Sequence, residues 1–149
     1  FQEQVSSEVL TQLSDAYGEA RPTQAARSPA AAERSRMLAS NFEALEDHIL
    51  LGTDAGAVGD FFGYADHVEL ALFVRMGMSP AEAIVAATQR SAYGFGLMEV
   101  GTIEPGKSAD FVVLDANPLD DIENTRRISQ VYLRGERIDR DALRDRWTR

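Results

Sequence analysis

The stretch of residues 48–56, His-Ile-Leu-Leu-Gly-Thr-Asp-Ala-Gly, decides how the rest of the chain is interpreted. Its apolar run is short and ends at a glycine, which is typical of a buried strand in a parallel sheet. Asp54 follows just beyond the carboxyl end of that strand, where parallel α/β folds build their active sites. Asp54 is therefore a candidate for binding a metal or accepting a proton from water. Taken alone, an aspartate in a glycine-containing loop is more typical of a turn or a helix N-cap.

Helical patterns flank this strand on both sides. Apolar residues recur at helical spacing over 3–18 and again over 28–45, where Ser-Pro provides a favourable helix start. Beyond a glycine-rich loop, residues 66–76 form a nearly all-apolar helix, and a capping-box motif begins a further helix over 79–94. This order of helix, strand, helix and helix predicts an α/β fold.

The pattern changes from helices to strands at Gly101. A Pro-Gly pair at 104–107 suits a type II turn, and Asp139 can cap a last helix over 140–147. We predict three strands in this part of the chain, at 111–114, 128–133 and 136–138. The predicted organisation is a first unit over 1–98, a β-rich unit over 99–139 and a helical tail over 140–149.

The composition excludes several classes of function. The chain has 149 residues, a formal net charge of −9 and no cysteine. The acidic balance argues against a nucleic-acid partner or an anionic membrane surface, and no uncharged run is long enough to span a bilayer. Without cysteine there is no disulfide, thiolate metal site or cysteine nucleophile. The chain enters a helical pattern directly at Phe1, as expected of a piece of a longer protein, and a cytoplasmic location is favoured over an extracytoplasmic one.

His67, Phe61 and Phe62 are candidate substrate-binding residues. The imidazole of His67 could bind a metal or a substrate, although packing or capping at the start of its helix is the simpler interpretation. The two phenylalanines lie in the glycine-rich loop and could line a pocket or cover the core equally well. His48 lies at the end of the predicted strand opposite Asp54, so we do not expect it to be catalytic.

Three segments together resemble the C-terminal third of the amidohydrolase superfamily. They are residues 51–56 (LGTDAG), 67–88 (HVELALFVRMGMSPAEAIVAAT) and 101–121 (GTIEPGKSADFVVLDANPLDD). Their order and spacing are most similar to the imidazolonepropionase-like and Xaa-Pro-dipeptidase-like branch.

The resemblance implies a fold and an activity. The fold would be the C-terminal part of a (β/α)8 barrel, with residues 49–51 as strand 8, plus the C-terminal strands of a small β-sandwich. By motif match, Asp54 would be a metal ligand and the general acid/base. The enzyme would use a divalent metal, Zn²⁺ being the expected ion, to hydrolyse an amide, peptide or cyclic C–N bond of a small-molecule or peptide-like substrate.

The family's other metal ligands have no counterpart in this chain. Its histidine pair on strand 1, its carboxylated lysine or glutamate on strand 4 and its later histidines would lie on missing strands. We therefore expect no metal cofactor and no activity for this chain alone. The rest of the barrel would come from the same longer chain or from another copy, making an oligomer. The alternative is a catalytically inactive fragment that acts as a structural or interaction module.

Overall fold

The computed structural model describes residues 29–56 and 62–147, so the predicted helix over 3–18 lies outside the described residues. The described helices are α1 (Pro29–Leu45), α2 (Tyr64–Arg75), α3 (Pro80–Val85), α4 (Ser91–Gly94) and α5 (Arg140–Trp147). A π-helical turn, Ala86–Arg90, joins α3 to α4, and 3-10 turns lie at Glu46–His48 and Ile122–Arg126. The predicted helices over 28–45, 66–76, 79–94 and 140–147 are thus confirmed, with small shifts at their ends.

The core lies where α1, α2 and α3 meet. The Phe42 and Phe73 rings pack at a tilt with their centroids 5.9 Å apart. Leu70 joins this cluster from α2, but Val68 and Leu72 on the same helix are each 45% exposed. The apolar sequence of α2 therefore exceeds what the described residues cover, as expected of a helix with further packing partners elsewhere.

The predicted capping box begins α3. The Ser79 hydroxyl accepts a hydrogen bond from the Glu82 backbone N–H at 3.3 Å, and the Glu82 carboxylate accepts one from the Ser79 N–H at 2.7 Å. These bonds to Ser79 hold the pKa of the Glu82 carboxyl below its ordinary value. Two N–H groups that the first helical turn would leave unpaired are satisfied in this way.

The C-terminal part is a three-stranded antiparallel sheet in the order β1-β2-β3. Its strands are β1 (Phe111–Leu114), β2 (Ile128–Leu133) and β3 (Glu136–Arg137). Phe111 pairs with Tyr132 across the first two strands, and their rings stack at 4.6 Å. Arg134 and Gly135 both have positive φ, at 53° and 81°, as a two-residue type I′ hairpin turn requires. The three strands predicted for this part of the chain are confirmed, except that β3 ends one residue early.

The predicted strand over 49–51 is not formed in the described structure. Residues 49–54 belong to no helix or strand, and side chains from the end of the helical region satisfy part of their backbone instead. Arg90 donates to the Ile49 carbonyl at 3.3 Å, and the Leu51 N–H donates to the Ser91 hydroxyl at 3.1 Å. A strand needs a neighbouring strand to complete its ladder, and the described residues offer none here.

The described residues are a mixture of helices and strands, as the predicted fold class requires, and the sheet that they form is antiparallel. The barrel, the sandwich and the unit boundaries at residues 98 and 139 remain predictions. Across 29–56 and 62–147, no helix combines the length and the apolar character that spanning a membrane requires.

Candidate active site

Asp54 lies in an exposed loop directly after the segment 49–53. Its φ is +51°, a left-handed conformation that aspartate tolerates better than most residues. The Ala55 N–H donates to the Thr53 hydroxyl at 3.2 Å, so a short side-chain turn closes around Asp54. Within the described ranges the Asp54 carboxylate has no hydrogen-bond or ion-pair partner, so both oxygens are available to a ligand or to water.

Glu69 reaches this loop from α2. Both of its carboxylate oxygens lie within hydrogen-bond distance of the Gly52 N–H, at 3.2 and 3.3 Å. Gly52 precedes Asp54 by two residues, so the helix is tied to the backbone beside the candidate catalytic carboxylate.

His67 is half-buried and faces the C-terminal part of the chain. Its Nδ1 lies 3.0 Å from the Thr125 hydroxyl, which itself donates its single hydrogen to the Ile122 carbonyl at 2.8 Å. Nδ1 must then carry a proton and donate it to Thr125, which leaves the lone pair of the neutral imidazole on Nε2. Burial, and next the Arg126 guanidinium, lower the pKa of His67, while Asp66 and Glu123 oppose them.

We expect His67 to make the protein less stable in mild acid. Because the folded pKa lies below the unfolded value near 6.5, the unfolded chain binds more protons, and the unfolding free energy falls as pH drops below about 6.5. His67→Gln should lose less stability than wild type between about pH 7.5 and pH 5.5. Urea unfolding at each pH measures this difference. His48→Gln, at the exposed histidine, controls for removing an imidazole, and identical pH slopes for wild type and His67→Gln would contradict the assignment.

The two candidate phenylalanines have different outcomes. Phe61 lies outside the described residues. Phe62 is 81% exposed, and its ring lies beside Gly56, where an added Cβ would meet the ring edge at 3.1 Å. Phe62 is therefore close in space to the loop of Asp54. His67, in contrast, is hydrogen-bonded through Nδ1 to Thr125 in the 3-10 turn. Roles for all three in substrate binding stay predictions.

The described residues do not form a metal site by themselves. No group of three or more His, Asp or Glu side chains in these parts of the chain could hold an ion. A catalytic zinc site needs about three protein ligands, and Asp54 can supply only one. Its carboxylate has the chemistry of such a ligand, and a complete site would need further donors from outside the described residues.

The sequence patterns did not predict Glu69, Arg90 or Ser91 as residues that hold the loop and its preceding segment. A signal for Glu69 exists: it is the one charged residue between Val68 and Val74 in an otherwise apolar stretch. A carboxylate retained within an apolar helix usually has a specific partner. The partner itself, the Gly52 N–H, depends on tertiary packing that helical periodicity does not describe.

Residues 19–138 match the profile of the amidohydrolase family, which is well over half of the chain. The chain belongs to the amidohydrolase family. This confirms the resemblance drawn from the three sequence segments. The matched region includes α1, the loop of Asp54, α2 and the three strands of the sheet.

Individual amidohydrolases and related enzymes show the same likeness over shorter regions. Imidazolonepropionase of Pyrobaculum arsenaticum is 39% identical over 67 residues, covering 45% of this chain and 17% of that protein. Adenine deaminase of Clostridium perfringens is 37% identical over 95 residues, covering 63% and 16%. The solved structure of molinate hydrolase superposes with a TM-score of 0.59 at 33% identity, over 63% of this chain and 24% of that one. The chain thus spans about a quarter or less of the length of each of these three proteins.

Proposed function

We propose that this chain is the C-terminal portion of a metal-dependent amidohydrolase, with Asp54 as a metal ligand and the general acid/base. The observation that carries the proposal is the exposed Asp54 carboxylate, which follows the segment 49–53 and is unpartnered among the described residues. The family match over 19–138 supports the C–N bond as the one cleaved.

In this proposal Asp54 moves protons for the reaction. Its carboxylate accepts a proton from the attacking water as the water adds to the carbonyl carbon, and then donates that proton to the leaving nitrogen. The divalent ion, Zn²⁺ being the expected one, supplies Lewis acidity and lowers the pKa of water when it is bound. Since the described ranges hold no group of three ligands around Asp54, the remaining ligands are proposed to belong to the rest of the barrel.

The substrate is proposed to be a small or peptide-like molecule that packs against the aromatic side of this loop. Phe62 supports this, because its ring is largely exposed and lies beside Gly56, two residues from Asp54. Phe61 is proposed to contact the substrate as well, and the Nε2 lone pair of His67 to accept a hydrogen bond from it. Metal-assisted hydrolysis of amide, peptide or cyclic amide bonds is compatible with such a site.

The rest of the barrel is proposed to cover the surfaces that this part leaves open. Val112 and Val113 point to opposite faces of β1 and are 49% and 38% exposed, so both faces of the sheet are partly uncovered. β1 is also an edge strand. Unpaired apolar edges of this kind associate with other strands, supplied here by the same longer chain or by another copy in an oligomer.

The alternative function is that of an inactive barrel fragment, which acts only as a structural or interaction module. The intact mass of the native protein separates the two. A product of about 400 residues, long enough for a complete barrel with insertions, is expected for the enzyme. A native product of 149 residues would favour the module.

The activity test uses the native protein with imidazolone propionate, adenine and molinate, the compounds in the names of its relatives. We expect hydrolysis of at least one C–N substrate, loss of that activity on treatment with a chelator and its recovery on adding Zn²⁺. A protein of full barrel length that binds no divalent ion, measured by elemental analysis, would overturn the proposal.

A further inference from the structure

Glu69 and Gly52 are 17 positions apart in the chain and are joined at the candidate active site. One backbone N–H donates to a carboxylate through both oxygens, at 3.2 and 3.3 Å. This contact links the middle of α2 to the backbone that leads into Asp54.

The backbone at Asp54 needs such a restraint. Asp54 has a φ of +51°, in the left-handed region that residues other than glycine adopt mainly at single positions in turns, so the hydrogen bonds around it define this turn. On one side, the hydrogen bond from Ala55 to the Thr53 hydroxyl closes the turn locally. On the other side, the bond from Gly52 to Glu69 is the link between this turn and a long helix.

The neighbouring contacts do not replace this link. Arg90 and Ser91 hold Ile49 and Leu51, which lie further from Asp54 along the chain. Among the described residues Glu69 reaches Gly52, the last residue before the turn, from an element anchored in the core by Leu70 and Phe73. Displacement of a catalytic group by about 1 Å can cost a factor of about 100 in rate.

We propose that Glu69 is a positioning residue, which holds the Asp54 loop in its catalytic geometry through the Gly52 N–H. The inference rests on the proposed function, in which Asp54 is the general acid/base. In this proposal Glu69 acts through its contact with the Gly52 N–H and not on the reacting atoms. Its contribution depends on reach and on acceptor geometry rather than on negative charge near the site.

Two conservative variants of the native protein separate the effect of side-chain length at position 69 from the effect of its charge. Glu69→Gln keeps an oxygen acceptor at the same distance, while Glu69→Asp keeps the charge but is shorter by about 1.5 Å. We expect Glu69→Asp to lower kcat by about 10–100-fold with little change in KM, and Glu69→Gln to stay within about threefold of wild type. The activity probe is the compound, among imidazolone propionate, adenine and molinate, that the wild type hydrolyses fastest.

Amide hydrogen exchange tests the link independently of any substrate. The Gly52 amide should exchange faster in Glu69→Asp than in wild type, and at the wild-type rate in Glu69→Gln and in Glu136→Ala, a control at an exposed glutamate of β3. Unchanged exchange in Glu69→Asp, or equal loss of kcat in both Glu69 variants, would overturn the inference. Wild-type kcat in Glu69→Asp together with an inactive Asp54→Asn would refute Glu69 alone, whereas an active Asp54→Asn would refute the proposed function.

Discussion

Asp54→Asn in the complete enzyme is expected to fold as the wild type does and to lose most of its activity. Asparagine tolerates the left-handed φ of +51° as readily as aspartate, and the exposed side chain has no partner among the described residues to lose. The amide cannot accept a proton from water, however. Removing a general acid/base group lowers kcat by about 10²–10⁴-fold, and kcat with circular dichroism of the same preparation measures both expectations.

Asp120→Asn is the matched control for this change. Asp120 is also an exposed aspartate in a loop, so the substitution removes the same charge outside the candidate loop. Its kcat should equal that of the wild type. If Asp54→Asn retained more than about a tenth of the wild-type kcat, Asp54 would not be the general acid/base.

Local patterns predicted the elements whose causes are local. The capping box at Ser79 and Glu82 depends on two residues three positions apart, and the structure shows both of its hydrogen bonds. The turn at Arg134 and Gly135 likewise depends on one residue pair that can adopt positive φ. Such elements form wherever their few residues occur together, so the sequence alone is sufficient to locate them.

The segment 49–51 shows where local patterns are insufficient. Its apolar run indicated a buried strand, but strand pairing depends on neighbours that the described residues do not provide. The side chains of Arg90 and Ser91 instead form hydrogen bonds with the backbone of Ile49 and Leu51. Ser91 does so from the end of a π-helical turn, where its hydroxyl also donates to the Ala86 carbonyl at 2.7 Å. A π-helical turn has no simple sequence signature, although such turns are frequent at functional sites.

The candidate site was predicted only in part for the same reason. Asp54 could be located because its place after an apolar run and its family motif are both features of contiguous sequence. The contacts of His67 with Thr125, and of Glu69 with Gly52, join residues that are distant along the chain. His67 and Glu69 both lie on α2, so this helix links the loop of Asp54 to the 3-10 turn that precedes β2.

Gly101→Ala is expected to destabilise the protein more than a glycine substitution in open space. Gly101 has φ +88°, and an added Cβ would lie 2.6 Å from the Ala92 Cβ and 2.9 Å from the Thr88 carbonyl oxygen. The left-handed φ costs about 1–2 kcal/mol for a side chain, and overpacking against the helix adds about 1–3 kcal/mol. The expected loss is thus about 2–5 kcal/mol, measured as a shift in the urea midpoint at constant m.

Gly106→Ala separates the two costs. Gly106 has nearly the same φ, +89°, but an added Cβ there would meet nothing within 4 Å. It should therefore show the backbone cost alone, about 1–2 kcal/mol. The Thr88 oxygen accepts the Ser91 N–H, so a Cβ that displaces it also disturbs the residue that holds Leu51. Equal destabilisation by Gly101→Ala and Gly106→Ala would show that the chain does not approach the π-helical turn this closely.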